Sequence, residues 1–181
     1  MFDPTIFDNI KVALEGAVYD LDFAGEVTVT SRSDQIELAA MAREYMIGCR
    51  NAARKDGNPQ VTALFILSAG AADLAGEILD LAESEERTFG CTLHVNFLLN
   101  IERPERCAEI ERILNTIWSY RPRIIQELSF VYSGLTLERP VTYRNTVTLD
   151  FGRKINEDNI EDLFTIVEHA VQSLRQLEKN I

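Results

Sequence analysis

Two extended segments carry the side chains best suited to bind a small anion. His94 and Asn96 alternate with apolar residues in CTLHVNFLLN, and Arg144 and Asp150 lie at even positions of the alternating segment VTYRNTVTLD. An arginine guanidinium binds carboxylates and phosphates through two parallel hydrogen bonds, and histidine exchanges protons near neutral pH. Because alternate residues of a strand share one face, these spacings predict a ligand-binding face formed by His94, Asn96, Arg144 and Asp150.

Two classes of function use such a face. The first is a non-enzymatic intracellular interaction or regulatory module that binds a protein partner or a small ligand. The alternative is an enzyme acting on a small anionic substrate, in which Arg144 anchors the anion and His94 is the acid or base. Asp150 or Asn96 would orient His94. The enzyme requires His94 and Arg144 to contact the same ligand.

The same polar face also has a purely structural explanation. Antiparallel sheets commonly leave one face in water or against a second subunit, and threonines suit such a face because β-branching fits the pleat. We therefore favour the non-enzymatic module over the enzyme.

A second group of candidate residues follows the fourth predicted helix. One interpretation is that Trp118 and Tyr120, with Arg121 and Arg123, form an aromatic and cationic surface for a partner, which we call the ledge. Aromatic residues that close a helix against the next strand are a more common explanation. His169 lies off the apolar stripe of the last helix, and we predict that it is exposed.

Two further segments have structural explanations. In ILSAGAAD, a strand turns into a helix, but the glycine-rich phosphate-binding patterns are missing. We expect Ser68 to cap this helix and Asp73 to lie in its first turn, where it would repel a phosphate. Glu83, Glu85 and Glu86 gather at the end of the helix without the spacing of metal ligands. The sequence predicts no metal ion and no cofactor.

Composition narrows the class of protein. The 181-residue chain has a net charge of −11, which repels nucleic acid and anionic membranes unless a basic patch is segregated. Its first residues lack a secretion signal, and no apolar run approaches the roughly 20 residues of a membrane span. Cys49, Cys91 and Cys107 are odd in number and contain no CxxC pair. We expect a cytoplasmic protein that binds neither nucleic acid nor membranes.

In the first third of the chain, the patterns predict a helix, a hairpin and a second helix. The opening helix would begin at Asp3 and Pro4 and end at Gly16. VYDLD and EVTVTS would be the two strands of a hairpin joined by FAG. The segment SRSDQIELAAMAREYMIGC would be a helix that begins with a capping box from Ser31 to Asp34. Its apolar stripe would consist of Leu38, Met41, Ala42, Tyr45 and Cys49.

The rest of the chain alternates strands with helices. The continuous apolar run VTALFIL, a helix from about residue 69 to 85 and the strand CTLHVNFLLNI have the lengths of a right-handed βαβ unit with parallel strands. A helix beginning at Pro104 precedes a second hairpin, formed by IIQELSFVYSGLTL and VTYRNTVTLDF. The last helix begins near Asn156, and its apolar stripe is broad enough to pack on a sheet.

These elements predict an α+β fold. We expect one domain spanning residues 1–181, with a mixed, mainly antiparallel sheet and helices packed predominantly on one face as a two-layer sandwich. The long polar strands and the wide final stripe favour a homo-oligomer. The fragments LDFAG and LDFG, and then DQIE and DNIE, recur near the two ends, which leaves an internal duplication open.

Overall fold

The computed structural model describes residues 5–53, 60–79, 81, 88–132 and 142–181. Its helices are α1 (Ile6–Phe23), α2 (Ala71–Ile78), α3 (Arg106–Trp118) and α4 (Ile160–Asn180), the last preceded by a short 3-10 turn at Glu157–Asn159. Its strands are β1 (Val27–Glu37), β2 (Ala42–Asn51), β3 (Thr62–Ala69), β4 (Cys91–Ile101), β5 (Arg123–Ser129) and β6 (Tyr143–Ile155). None of the described helices combines the length and apolar character that crossing a bilayer requires.

The six strands form one sheet in the order β1-β2-β3-β4-β6-β5. Every neighbouring pair is antiparallel, so the predicted α+β class is confirmed and the sheet is antiparallel rather than mixed. The predicted βαβ unit is wrong. Strands β3 and β4 pair directly and antiparallel, with α2 in the connection between them, because the chain returns beside β3 instead of crossing over the sheet.

One hydrophobic core contains one face of the sheet and the apolar sides of α1, α3 and α4. Burial alternates strictly along β3 and nearly so along β4, with the odd-numbered residues enclosed and most even-numbered residues only partly buried. We call the side that carries the even-numbered residues of β3 and β4 the open face. The strand residues at the centre of the core are Tyr45, Ile47, Cys49, Ala63, Phe65, Leu67, Leu93, Val95, Phe97, Val147 and Leu149.

Helix α1 is longer than the sequence suggested. The predicted end at Gly16 and the predicted strand over VYDLD are wrong, because the helix continues to Phe23. Its buried residues keep helical spacing through this region, and Ala17 and Val18 extend the stripe begun by Ile10 and Leu14. Thr5 caps the helix by accepting a hydrogen bond from the Asp8 amide. The predicted first residues, 3 and 4, lie outside the described residues.

The predicted helix over SRSDQIELAAMAREYMIGC is also wrong. This segment is the β1–β2 hairpin, in which Tyr45, Ile47 and Cys49 are buried at a spacing of two residues. Leu38 and Met41, which were expected on an apolar helical stripe, lie at the hairpin turn with 78% and 62% of their surface exposed. Pairing of β2 with the central strand β3 outweighs the local helical pattern.

Most other elements follow the predictions, but α2 ends at Ile78 instead of near residue 85, and β5 ends at Ser129, well before the end of the predicted strand. β3, β4 and α3 occupy the expected segments, and β5 pairs with β6 as the second hairpin, although its predicted ERP turn lies outside the described residues. The apolar stripe of α4 is buried, and it belongs to the same hydrophobic core as residues of α1, α3 and the sheet. The two recurring fragments do not occupy equivalent elements: Leu21 is in α1 but Leu149 is in β6, and Asp34 is in β1 but Asp158 is in the 3-10 turn.

Four charged side chains connect α1 to the first two strands. Arg43 Nη1 lies 2.9 Å from Asp8 Oδ1, and Arg43 Nη2 lies 3.2 Å from Asp34 Oδ2. Lys11 Nζ contacts the same Asp34 oxygen at 3.0 Å. Partial burial opposes ionisation of Asp8 and Asp34, but hydrogen bonds and the neighbouring cations outweigh it and hold the pKa of each carboxyl below its ordinary value of 3.8.

We expect Gly16→Ala to stabilise the protein and Gly25→Ala to destabilise it. Gly16 lies in the middle of α1 with nothing within 4 Å of an added Cβ, so alanine should raise the free energy of unfolding by about 0.5–1 kcal/mol. Gly25 has a φ of +73°, which alanine adopts only with strain of about 1 kcal/mol. Urea unfolding measures both, and a destabilising Gly16→Ala would contradict an uninterrupted α1.

We expect Arg43→Gln to lower the free energy of unfolding at neutral pH by about 1 kcal/mol, since it removes the shared partner of two carboxylates. Because the folded-state pKa of Asp8 and Asp34 is lowered, their contribution is present above 3.8 and is lost as the pH falls through the folded-state values. Urea unfolding at about pH 7 and about pH 3 should therefore show the difference shrinking in acid. Exposed Arg103→Gln is the control, and a difference that persists in strong acid would contradict this account.

Candidate functional site

Three of the four predicted ligand-binding residues come together on the open face. The register of β4 and β6 places His94 directly opposite Asp150, with His94 Nε2 3.7 Å from Asp150 Oδ1. Asn96 follows two residues along β4, opposite Thr148. The side chains of His94 and Asp150 are 35% and 33% exposed, so both can reach solvent.

Arg144 lies at the far end of the same face. It pairs with Asn100, six residues along β6 from Asp150, and six residues of strand span roughly 20 Å. This separation is greater than an arginine side chain and one small ligand can bridge. The structure therefore does not bring His94 and Arg144 to a common small substrate.

The contact between His94 and Asp150 is loose. At 3.7 Å it exceeds hydrogen-bond length, and a one-third exposed pair of this kind contributes little even when the histidine is protonated. The same Asp150 oxygen accepts a hydrogen bond of 2.8 Å from the Gly152 amide. Asp150 thus also stabilises the irregularity at Gly152 within β6. Asn96 Oδ1 is buried and has no hydrogen-bond partner among the described residues.

The centre of the open face is apolar, whereas the alternation of β4 and β6 predicted a polar ligand-binding face. Ile66 lies between Met46 on β2 and His94 on β4, and Leu64 lies between Gly48 and Asn96. The apolar residues on this face are Met46, Leu64, Ile66, Leu98 and Ile125, each partly buried. The uninterrupted apolar run of VTALFIL was the available signal, because a strand with only one buried face would otherwise alternate with polar residues.

Charges of both signs surround this apolar centre. The register and the alternation of the strands assign eight charged residues to the open face. The cations are Arg50, Arg123, Arg144 and Lys154, and the carboxylates are Glu37, Glu44, Glu127 and Asp150. This balance contrasts with the net charge of −11 of the whole chain. The acidity of the protein is therefore concentrated away from the open face.

A cleft of about 270 Å³ lies elsewhere, between the end of α3, β6 and α4. Trp118 is 5% exposed, and its indole Nε1 donates a hydrogen bond of 3.0 Å to Ser173 Oγ. Its ring lies 5.6 Å from the Phe151 ring and 5.4 Å from the His169 ring. The predicted exposure of His169 is therefore wrong, because α3 packs beside α4 and covers the side of the imidazole that would otherwise face water.

The predicted aromatic and cationic ledge is divided among three environments. Trp118 is buried as the helix-closing residue, whereas Tyr120 is 75% exposed. Arg121 lines the cleft beside Trp118. Arg123 belongs to β5 and pairs with Asp150 across the sheet. Only Trp118 and Arg121 of this group share a concave surface.

The helix after β3 is not arranged to bind phosphate. The prediction that Ser68 caps this helix is wrong. The strand continues through Ala69, and Gly70 occupies the N-cap position. Asp73 accepts a hydrogen bond from the Gly70 amide and lies 2.7 Å from Lys154 Nζ. A carboxylate therefore occupies the positive end of the helix. The acidic residues 83, 85 and 86 lie outside the described residues.

Metal and thiol chemistry have little support in the described part of the chain. There, no three histidine, cysteine, aspartate or glutamate side chains are grouped as metal ligands. Burial raises the pKa of the Cys49 and Cys91 thiols to about 12, with nearby carboxylates adding to the effect. Both thiols are protonated at neutral pH and are poor nucleophiles.

Comparison with known proteins gives no relative from which a function could be inferred. No protein family model, curated protein or solved structure matches the chain. The functional proposals therefore rest on the geometry of the open face and the cleft.

We expect Ser173→Ala to lower the free energy of unfolding by about 1–2 kcal/mol, because it leaves the buried indole N–H of Trp118 without an acceptor. Urea unfolding followed by circular dichroism measures the change. In a Trp118→Phe background the same serine substitution should cost much less, since no donor remains to be satisfied. Equal costs in the two backgrounds would contradict the coupling.

Proposed function

We propose that this protein is a non-enzymatic interaction module, and that the open face of its sheet binds a protein partner. The partner that the observations favour is a second copy of the same chain. One observation carries the proposal: the central strand β3 presents Leu64 and Ile66 on the face opposite the core. A solvated strand face is ordinarily polar, whereas an apolar centre with a polar rim is typical of protein interfaces.

The size of the face supports an interface between subunits. Five spacings between strands, at about 4.8 Å each, make the sheet about 24 Å wide. The eight residues of β3 extend over about 26 Å. The projected area is therefore about 600 Å². The accessible surface of the face is larger than this flat projection because side chains protrude from it, which brings it close to the roughly 800 Å² that each partner buries in a standard interface.

The charges on the face support self-association. Two chains of net charge −11 repel each other unless their contact surfaces are locally neutral. The open face carries four cations and four carboxylates around the apolar centre, so it is locally neutral and two copies can meet there. A nucleic acid or an anionic membrane would meet the same four carboxylates and the acidic remainder of the chain.

The enzyme alternative has less support from the geometry. It requires one substrate to contact both His94 and Arg144, and the register separates their backbones by roughly 20 Å. Three clefts among the described residues are lined by other side chains. The His94 and Asp150 pair remains part of the open face, where we assign it to the polar rim.

We also propose that the module works in the cytoplasm or another reducing compartment. Cys49, Cys91 and Cys107 are all free thiols. The first two are buried, so oxidation would disturb the core instead of forming a stabilising disulfide.

We expect the protein to be a dimer at micromolar concentration and Ile66→Lys to weaken the dimer by at least about tenfold, since the lysine places a charge in the apolar centre. Light scattering after size-exclusion chromatography measures the mass across a dilution series. Ile66→Thr, which keeps β-branching without adding charge, should weaken association less and guards against misfolding of the lysine variant.

Val12→Lys is the matched control, because Val12 is an equally apolar residue that is 64% exposed on α1. Circular dichroism and thermal unfolding establish that each variant is folded. A wild-type protein that is monomeric at micromolar concentration would overturn the proposal. So would equal dissociation of the Ile66→Lys and Val12→Lys variants, since the interface would then lie elsewhere.

A further inference from the structure

We propose that the cleft between α3, β6 and α4 is a binding site for a small aromatic carboxylate, meaning one flat ring that carries a negative charge. The site is separate from the open face. Its apolar lining combines the aromatic rings of Trp118 and Phe151 with Ile117 and Ile166. Its charged lining is two guanidinium groups, those of Arg121 and Arg153, against the single carboxylate of Asp162. A flat ring and a carboxylate are the two features that these groups recognise together.

The aromatic wall is fixed before any ligand arrives. The hydrogen bond from Trp118 to Ser173 holds the indole, and Ser173 Oγ in turn donates to the His169 carbonyl at 2.8 Å. Phe151 and His169 pack on the indole at 5.6 and 5.4 Å between ring centres. An aromatic ligand would add another ring to this cluster, in the offset or tilted geometry that aromatic pairs prefer.

Arg121 and Arg153, which line the cleft, are both available to bind an anion. The side chain of Arg121 makes no hydrogen bond or ion pair with the described residues. Arg153 contacts Asp162 at 3.3 Å, but both side chains are more than half exposed, so the pair contributes little and can exchange. A guanidinium that is available in this way can bind a carboxylate through two parallel hydrogen bonds.

The backbone at the end of α3 turns Arg121 toward the cleft. Ser119 and Tyr120 adopt left-handed conformations with φ of 53° and 57°, which are uncommon for residues other than glycine. Tyr120 N donates to the Asn115 carbonyl and Arg121 N donates to the Trp118 carbonyl, each at 3.1 Å. These two residues end α3 and place the side chain of Arg121 in the lining of the cleft.

The volume limits the ligand to one ring. Pockets for drug-sized molecules range from about 300 to 1,000 Å³, and this cleft of about 270 Å³ lies just below that range. A single-ring ligand of about nine non-hydrogen atoms binds with a dissociation constant near 1 mM at ordinary ligand efficiency.

The test uses benzoate as the probe and the fluorescence of Trp118, the single tryptophan of the chain, as the readout. We expect benzoate to change the emission saturably, with a dissociation constant of about 1 mM or below, and to raise the unfolding temperature. Benzamide supplies the ring without the charge, and acetate supplies the charge without the ring. Each should bind at least about tenfold more weakly than benzoate.

Variants identify the residues responsible. Arg121→Gln should weaken benzoate binding at least about tenfold, because a charge-assisted hydrogen bond is lost. Arg103→Gln removes the same charge from an exposed position outside the cleft and should leave binding unchanged. Both variants keep Trp118, so fluorescence and thermal unfolding report on fold and binding alike.

Three results would overturn the proposal. The first is no saturable change with benzoate in either readout. The second is equal binding of benzoate and benzamide, which would show that the arginines do not recognise the charge. The third is an equal effect of Arg121→Gln and Arg103→Gln, which would show a general response to net charge.

Discussion

The architecture depends on the two-residue alternation of an antiparallel sheet, which divides each strand between an enclosed face and an open one. The core residues of β3 and β4 are almost completely buried, and their even-numbered neighbours are not. A shift of any strand by one residue would exchange its two sets of side chains and move its core residues to the open face. This penalty fixes the register, and the register fixes which polar groups meet on the open face.

The register explains why part of the candidate site assembles and part does not. His94 and Asp150 face each other because β4 and β6 are direct neighbours, although β5 intervenes between them in the sequence. Alternation predicted the shared face correctly, since it depends only on local spacing. It contained no information about position along the strand, and Arg144 therefore lies on the right face but too far from His94. Distances along a sheet require the pairing of strands, which is a long-range property.

The errors in the predicted elements have the same origin. Residues 31–49 contain two apolar patterns, a helical one through Leu38 and Met41 and a strand pattern through Tyr45, Ile47 and Cys49. Pairing with β3 selects the second pattern, because a strand beside β3 buries three side chains completely. At Gly16 the local signal for a helix end was outweighed by Ala17 and Val18, whose burial extends the helical stripe into the core. Elements with one strong pattern, such as α3, β4 and α4, could be predicted from the sequence, because no second pattern competed and tertiary contacts did not have to select between two.

Strand β6 shows how one segment can serve both proposed surfaces. Asp150 belongs to the open face, and Phe151 packs against Trp118 in the cleft, because successive strand residues point in opposite directions. The hydrogen bond from Gly152 N to Asp150 Oδ1 and the left-handed φ of Gly152 bend the chain immediately afterwards. This bend lies within the irregularity of the β4–β6 pairing. A bulge of this kind changes the direction of the side chains near it and leaves the pairing of the rest of the two strands intact. A subunit interface and a ligand cleft can therefore lie on opposite sides of one strand without competing for the same side chains.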